Sequence, residues 1–289
     1  MAEPLSVAVR RGEIVESVHR VHAVAVREGN VISEAGDPAL LASLRSAAKP
    51  VQALPLSRAR EDLEDADLAI AAASHFGTPL HVEAVRELLR KTGGSEDELE
   101  CGLQDGRPPE PIYHNCSGKH AGMIAVCRAR GWQVPGYRLP DHPLQRELLH
   151  EVMEIAEVDE IRTATDGCGV VCFALPLERA AHAFSRLPET PVAAAMRARP
   201  ELVGGEGATD TELMRALPGW IAKGGAEGLL CAASADGLGL AVKVADGNSR
   251  ALRPAVARFG ATLGLDLPLF AEVPLENSRG EPVGALTIL

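Results

Sequence analysis

Strand-patterned segments stand at both ends of this chain and helix-patterned segments fill the middle, an order that few architectures accommodate. Residues 5–34 read as short β-rich segments broken at Arg11-Gly12 and Gly29-Asn30, a hairpin-like start. Residues 39–60, 80–92, 119–131, 142–157 and 174–186 carry helical periodicity, and the second of these stops at Gly93-Gly94. Residues 227–246 return to strands about the turn Ala235-Asp236-Gly237, and 248–264 read as a closing helix. Alternating βαβ units do not give this order. It predicts an α+β fold, with one antiparallel sheet built from both chain ends and a helical lobe inserted. The expected arrangement is a single two-lobed unit over 1–289, with the sheet from about 1–35 and 225–289 and the helical and mixed lobe from about 36–224.

Composition narrows the function. With 46% apolar residues the 289-residue chain can bury a sizeable core. A net charge of −11 argues against a non-specific nucleic-acid or anionic-membrane binder, and only nine Phe, Trp and Tyr residues leave little for base stacking. The apolar stretch Leu68–Ala73 is far short of the roughly 18 residues of a membrane span. The N-terminus lacks a signal-peptide pattern, so a soluble cytoplasmic protein is expected. The cysteines Cys101, Cys116, Cys127, Cys168, Cys172 and Cys231 are then expected as thiols. Cys127 and Cys231 lie in apolar runs and read as core. Cys116 and Cys168 lie in polar, Gly-bearing turns, which favours a surface cleft.

Of 29 basic residues only five are lysine: Lys49, Lys91, Lys119, Lys223 and Lys243. An amine can lose its proton to act as a base or a metal ligand, and guanidinium cannot. Each lysine therefore invites inspection. Ser46-Ala47-Ala48-Lys49 is a Ser-x-x-Lys motif, and Pro50, tolerated only in a first turn, puts the helix start at about Ser46. Residues three apart share a helix face, so a desolvated Lys49 can serve as base to Ser46. The motif alone is common, and a solvated helix end would produce it too. Ser74, in Ala73-Ser74-His75, ends an apolar run. Lys223-Gly224-Gly225 precedes the C-terminal strands. Penicillin-recognising acyl transferases use three such pieces in this order, although the Lys-Thr-Gly and Ser-Asp-Asn forms are missing here.

Taken together, Arg45-Ser46-x-x-Lys49-Pro50, Ala73-Ser74-His75, His114-Asn115-Cys116-Ser117-Gly118-Lys119-His120, Asp166-Gly167-Cys168-Gly169, Gly205-Glu206-Gly207 through Asp210, and Lys223–Gly228 resemble the bacterial L-asparaginases of the Rhizobium etli type. That resemblance implies a fold like serine β-lactamases and glutaminases, a homodimer, and hydrolysis of L-asparagine to L-aspartate and ammonia. It implies two Ser-Lys tandems, Ser46 with Lys49 and Ser74 with Lys223. It further implies zinc on Cys116, Lys119 and Cys168, and substrate contacts at Arg45, His120 and Asp166. Arg45 suits an α-carboxylate and Asp166 an α-ammonium. A glutaminase or another penicillin-recognising serine hydrolase stays open, as does a non-catalytic zinc-dependent amino-acid binder.

Overall fold

The computed structural model describes residues 2–289. Eleven strands form two antiparallel sheets among these residues. They are β1 (Leu5–Arg11), β2 (Ile14–Arg27), β3 (Asn30–Ala35), β4 (Leu41–Ser43), β5 (Arg162–Thr165), β6 (Val171–Pro176), β7 (Ile221–Gly224), β8 (Leu229–Ala233), β9 (Leu238–Val244), β10 (Val273–Glu276) and β11 (Pro282–Ile288). The large sheet runs β10-β11-β1-β2-β9-β8-β7, with β3 also on β2. The two chain ends meet where β1 pairs with β11, Val7 opposite Ile288. The fold is thus α+β, with the sheet assembled from both ends of the chain and the helices between.

The centre of this sheet is covered on both faces. All five residues of β8 are buried, and so are six of seven in β9, which are runs rather than alternations. The helices Leu177–Ser185 and Leu252–Ala261 pack against it. A second sheet, β4-β6-β5, and the helices Pro79–Thr92, Ser117–Arg130 and Pro143–Ala156 come from the chain between the two ends. No helix among the described residues is long and apolar enough to cross a membrane.

Two segments differ from the helical expectation. Within 39–60, Leu41–Ser43 is strand β4, paired to β6. The rest is a 3₁₀ turn, Arg45–Ala48, followed by the short helices Lys49–Gln52 and Leu54–Ala59, each with a proline in its first turn. Pro55 lacks the amide proton that a continuous helix would need. Within 174–186 the first residues belong to β6. The helix begins only at Leu177, because pairing to both β4 and β5 holds Val171–Pro176 extended.

Candidate active site

The site begins at a strained turn. Arg45 has φ +45°, a left-handed conformation that a bulky residue rarely adopts, and it leads directly into the 3₁₀ turn that carries Ser46. The Lys49 N–H bonds the Ser46 carbonyl, the i to i+3 pattern in which side chains three apart eclipse. Ser46 and Lys49 therefore share one face. Ser46 is half-buried, while Lys49 is fully buried.

The Lys49 amine reaches out of its own helix. Its Nζ donates to Ser74 Oγ at 2.8 Å, to the Ala73 carbonyl at 2.6 Å and to the Asn115 carbonyl at 3.5 Å. Burial disfavours the ammonium; the Cys116 thiolate opposes this in part, and the Lys119 and Lys223 charges reinforce it. The pKa is brought down to about 8. A desolvated amine with a pKa of about 8, bonded to one serine hydroxyl and on the same helical face as another, has the properties of a general base.

The hydrogen bonds pair the two serines and two lysines differently from the expected tandems. Ser74 is bonded by Lys49. Lys223, on β7, instead donates to Asp210 Oδ2 at 3.0 Å and to the Gly224 carbonyl at 2.9 Å. Burial raises the Asp210 carboxyl, but the Lys223 ammonium and the Gly224 N–H outweigh it, and the pKa falls below the usual carboxylate value. The Lys223–Asp210 ion pair, both partners buried, fixes a positive charge beside Lys49. β7 also packs on the turn carrying Ser46: a Cβ at Gly225 would lie 2.7 Å from the Leu44 carbonyl, so only glycine permits this approach.

The loop of Ser74 is tied down on two sides. Its N–H donates to the Val203 carbonyl at 2.8 Å. The next residue, His75, accepts the Gly77 N–H at Nδ1, so Nε2 carries the proton and donates to Ser117 Oγ at 3.0 Å; that hydroxyl donates to the Ile112 carbonyl. This chain locks the Ser74 loop to the start of helix Ser117–Arg130. The helix itself sits close because a Cβ at Gly118 would collide with the Ile70 carbonyl.

That helix start carries Cys116, Lys119 and His120. Cys116 and Cys168 are buried, at 5% and 4% exposure, and not in a surface cleft as their polar turns suggested. Cys116 is the residue before a helix that packs inward, and the Cys168 turn folds over Lys119, whose Nζ lies 3.0 Å from Cys168 Sγ. Hydrogen bonding from Cys168 overcomes burial and lowers the Cys116 pKa well below that of an ordinary thiol; that same bond, with burial, raises Cys168. Burial opposes the Lys119 ammonium, but the two sulfurs prevail and raise its pKa. Among the described residues no three His, Cys, Asp or Glu side chains converge as a metal cluster. Two sulfurs and an amine do converge, a soft donor set that suits zinc once the amine is deprotonated. Two ligands of one tetrahedral zinc stand ~3.6 Å apart, so the 3.0 Å contact would have to open by a few tenths of an ångström.

Arg45 and Asp166 are ion-paired to each other at the edge of the site. Asp166 Oδ1 also accepts the Gly167 N–H at 2.7 Å. Cation and anion side by side match the two charges of an amino-acid zwitterion. His120 is fully buried and bonds Tyr137 through Nδ1. The sequence did not reveal Asp210 as the partner of Lys223, the Asn115 carbonyl on Lys49, or Tyr137. Only Tyr137 left a signal: it is one of two tyrosines in an aromatic-poor chain.

The L-asparaginase II family model matches residues 7–288. The chain belongs to the L-asparaginase II family. Among solved structures it is similar to a β-lactamase from Mycobacterium bovis, at 18% identity, with 84% of this chain and 94% of that chain covered and a TM-score of 0.39. No curated protein matches it.

Proposed function

We propose that this family member is an L-asparaginase of the Rhizobium etli type, hydrolysing L-asparagine to L-aspartate and ammonia through a serine ester. The observation that carries the reading is the buried Lys49 amine, 2.8 Å from Ser74 Oγ and on the helical face of Ser46. A non-catalytic amino-acid binder would have no use for such an amine.

Arg45 receives the α-carboxylate and Asp166 the α-ammonium. Neutral Lys49 takes the Ser46 proton as Oγ attacks the carboxamide carbon. The positive charge of Lys223 stabilises the developing oxyanion. Ser74, hydrogen-bonded to Lys49, relays the proton to the departing nitrogen, and ammonia leaves. Water then attacks the β-aspartyl ester with Lys49 again as base. Zinc, when bound by Cys116, Lys119 and Cys168, supplies a cross-link between the 114–120 and 166–169 segments that present His120 and Asp166 to substrate. The reading carries with it the homodimer that the family resemblance implies.

The direct test is ammonia release by purified protein given L-asparagine or L-glutamine, with and without a zinc chelator. Release from L-asparagine is expected, with a raised KM after chelation. No ammonia from either amide, with zinc present, overturns the reading. The pH profile is a second expectation. Only neutral Lys49 accepts a proton, and its pKa is about 8. Thus kcat/KM should fall about tenfold per pH unit on acidification below that value and level off above it. A profile flat from about pH 6 to about pH 9 contradicts Lys49 as the base.

A further inference from the structure

The geometry points to Tyr137 as a positioning residue that fixes the tautomer of His120, so that His120 presents an N–H donor to an oxygen of the substrate. The inference deepens the proposed reaction and rests on it for the identity of the acceptor.

Tyr137 is fully buried in the irregular segment after helix Ser117–Arg130. It is braced from several directions. The Glu100 N–H donates to its Oη at 2.9 Å, Glu100 Oε1 accepts the Gly136 N–H at 2.7 Å, and Gln145 Nε2 donates to the Tyr137 carbonyl at 2.8 Å. Such bracing leaves the phenol no freedom to turn. Its Oη lies 2.6 Å from His120 Nδ1, and the rings meet edge to face with centroids 5.5 Å apart.

The direction of that short bond follows from proton accounting. Burial raises the Tyr137 pKa, so the phenol keeps its proton. The ring nitrogen Nδ1 can meet that oxygen either as a donor or as an acceptor. If Nδ1 held a hydrogen and donated to Oη, the oxygen would accept twice. Its own O–H would then be buried with no acceptor, since its two partners are the Glu100 N–H and the ring. If Oη donates to Nδ1, every group there is satisfied and the ring hydrogen sits on Nε2. Nε2 is buried and has no hydrogen-bond partner among the described residues. His120 follows Lys119, whose Nζ meets Cys168 Sγ at 3.0 Å, and its own N–H donates to the Cys116 carbonyl at 3.0 Å, so the ring belongs to the site already described. A buried, pre-aimed N–H with nothing to bond is complementary to a carboxylate or carboxamide oxygen and mismatched to an ammonium or amide NH₂ group.

Two measurements on the zinc-loaded protein test this. Long-range ¹⁵N–¹H correlation spectra, with the His120 signals assigned by their loss in His120→Gln, should show the Nε2–H tautomer in the unsubstituted protein. Tyr137→Phe should shift this ring towards Nδ1–H and lower kcat/KM for L-asparagine by roughly 10- to 100-fold. In the His120→Gln background, where the amide nitrogen can stand in for Nε2–H, Tyr137→Phe should cost no more than about twofold, which merely structural damage would not reproduce. An Nδ1–H ring in the unsubstituted protein overturns the inference, as does an equal loss from Tyr137→Phe in both backgrounds. The spectra need no turnover. A protein inert towards L-asparagine but showing Nε2–H therefore sinks the proposed reaction and leaves the hydrogen-bond assignment standing.

Discussion

Ser46→Ala is expected to lower kcat for L-asparagine by at least about 10⁴-fold while the protein stays folded and keeps its zinc. The expectation follows from the turn at Arg45. A left-handed residue costs on the order of 1–3 kcal/mol and persists only where its surroundings enforce it, and here it sets Ser46 at the head of the turn, eclipsing Lys49. Among the described residues the Lys49 amine bonds Ala73, Ser74 and Asn115, and the Ser46 hydroxyl makes no side-chain hydrogen bond there, so stability should change little. Ser74→Ala removes the relay and not the nucleophile. It should cost less, about 10²- to 10³-fold, and it also strips Lys49 of its 2.8 Å partner. Steady-state ammonia release by both variants checks the order of the two effects. If Ser74→Ala is the more damaging by a wide margin, the roles of the two serines are reversed.

The second large effect concerns stability. Asp210→Asn leaves the Lys223 ammonium buried without a counter-charge, which should cost about 3–5 kcal/mol in urea unfolding and abolish activity. Asn can still accept the Gly224 N–H, but its amide nitrogen then meets the Thr211 N–H that Oδ1 accepts at 3.0 Å, so a double variant is needed to separate the charge from that lost bond. Asp210→Asn combined with Lys223→Met removes the orphaned charge and should recover most of the stability without recovering activity. A double variant as unstable as the single one would show that the carboxylate acts through packing and its Thr211 hydrogen bond and not through the ion pair.

What the sequence revealed and what it hid divide along a physical line. Local signals were legible. Ser46 and Lys49 lie three apart beside Pro50, and the helix over 80–92 and the turn at Asp236-Gly237 are written in residues adjacent along the chain. The union of the two chain ends in one sheet followed from element order alone. Partnerships were not legible. Lys49 bonds Ser74 because the Ser74 loop is pulled in by Val203 and by the His75–Ser117 contact, and Lys223 turns to Asp210 instead. Residue types could not choose between those pairings; tertiary packing did. Burial of Cys116 and Cys168 was misjudged for a similar reason. Their polar, glycine-bearing turns look like surface, but glycine at position 118 is there to let a helix approach the Ile70 carbonyl. The strand at Leu41–Ser43 was hidden because its pairing partner, β6, lies far along the chain.

The most direct test of the central claim is a rapid acid quench of the protein turning over L-asparagine, followed by intact-mass measurement and peptide mapping. An aspartyl ester on the peptide containing Ser46, absent from Ser46→Ala, is the predicted result. An adduct on Ser74, or steady ammonia release by Ser46→Ala at the rate of the unsubstituted protein, would contradict it.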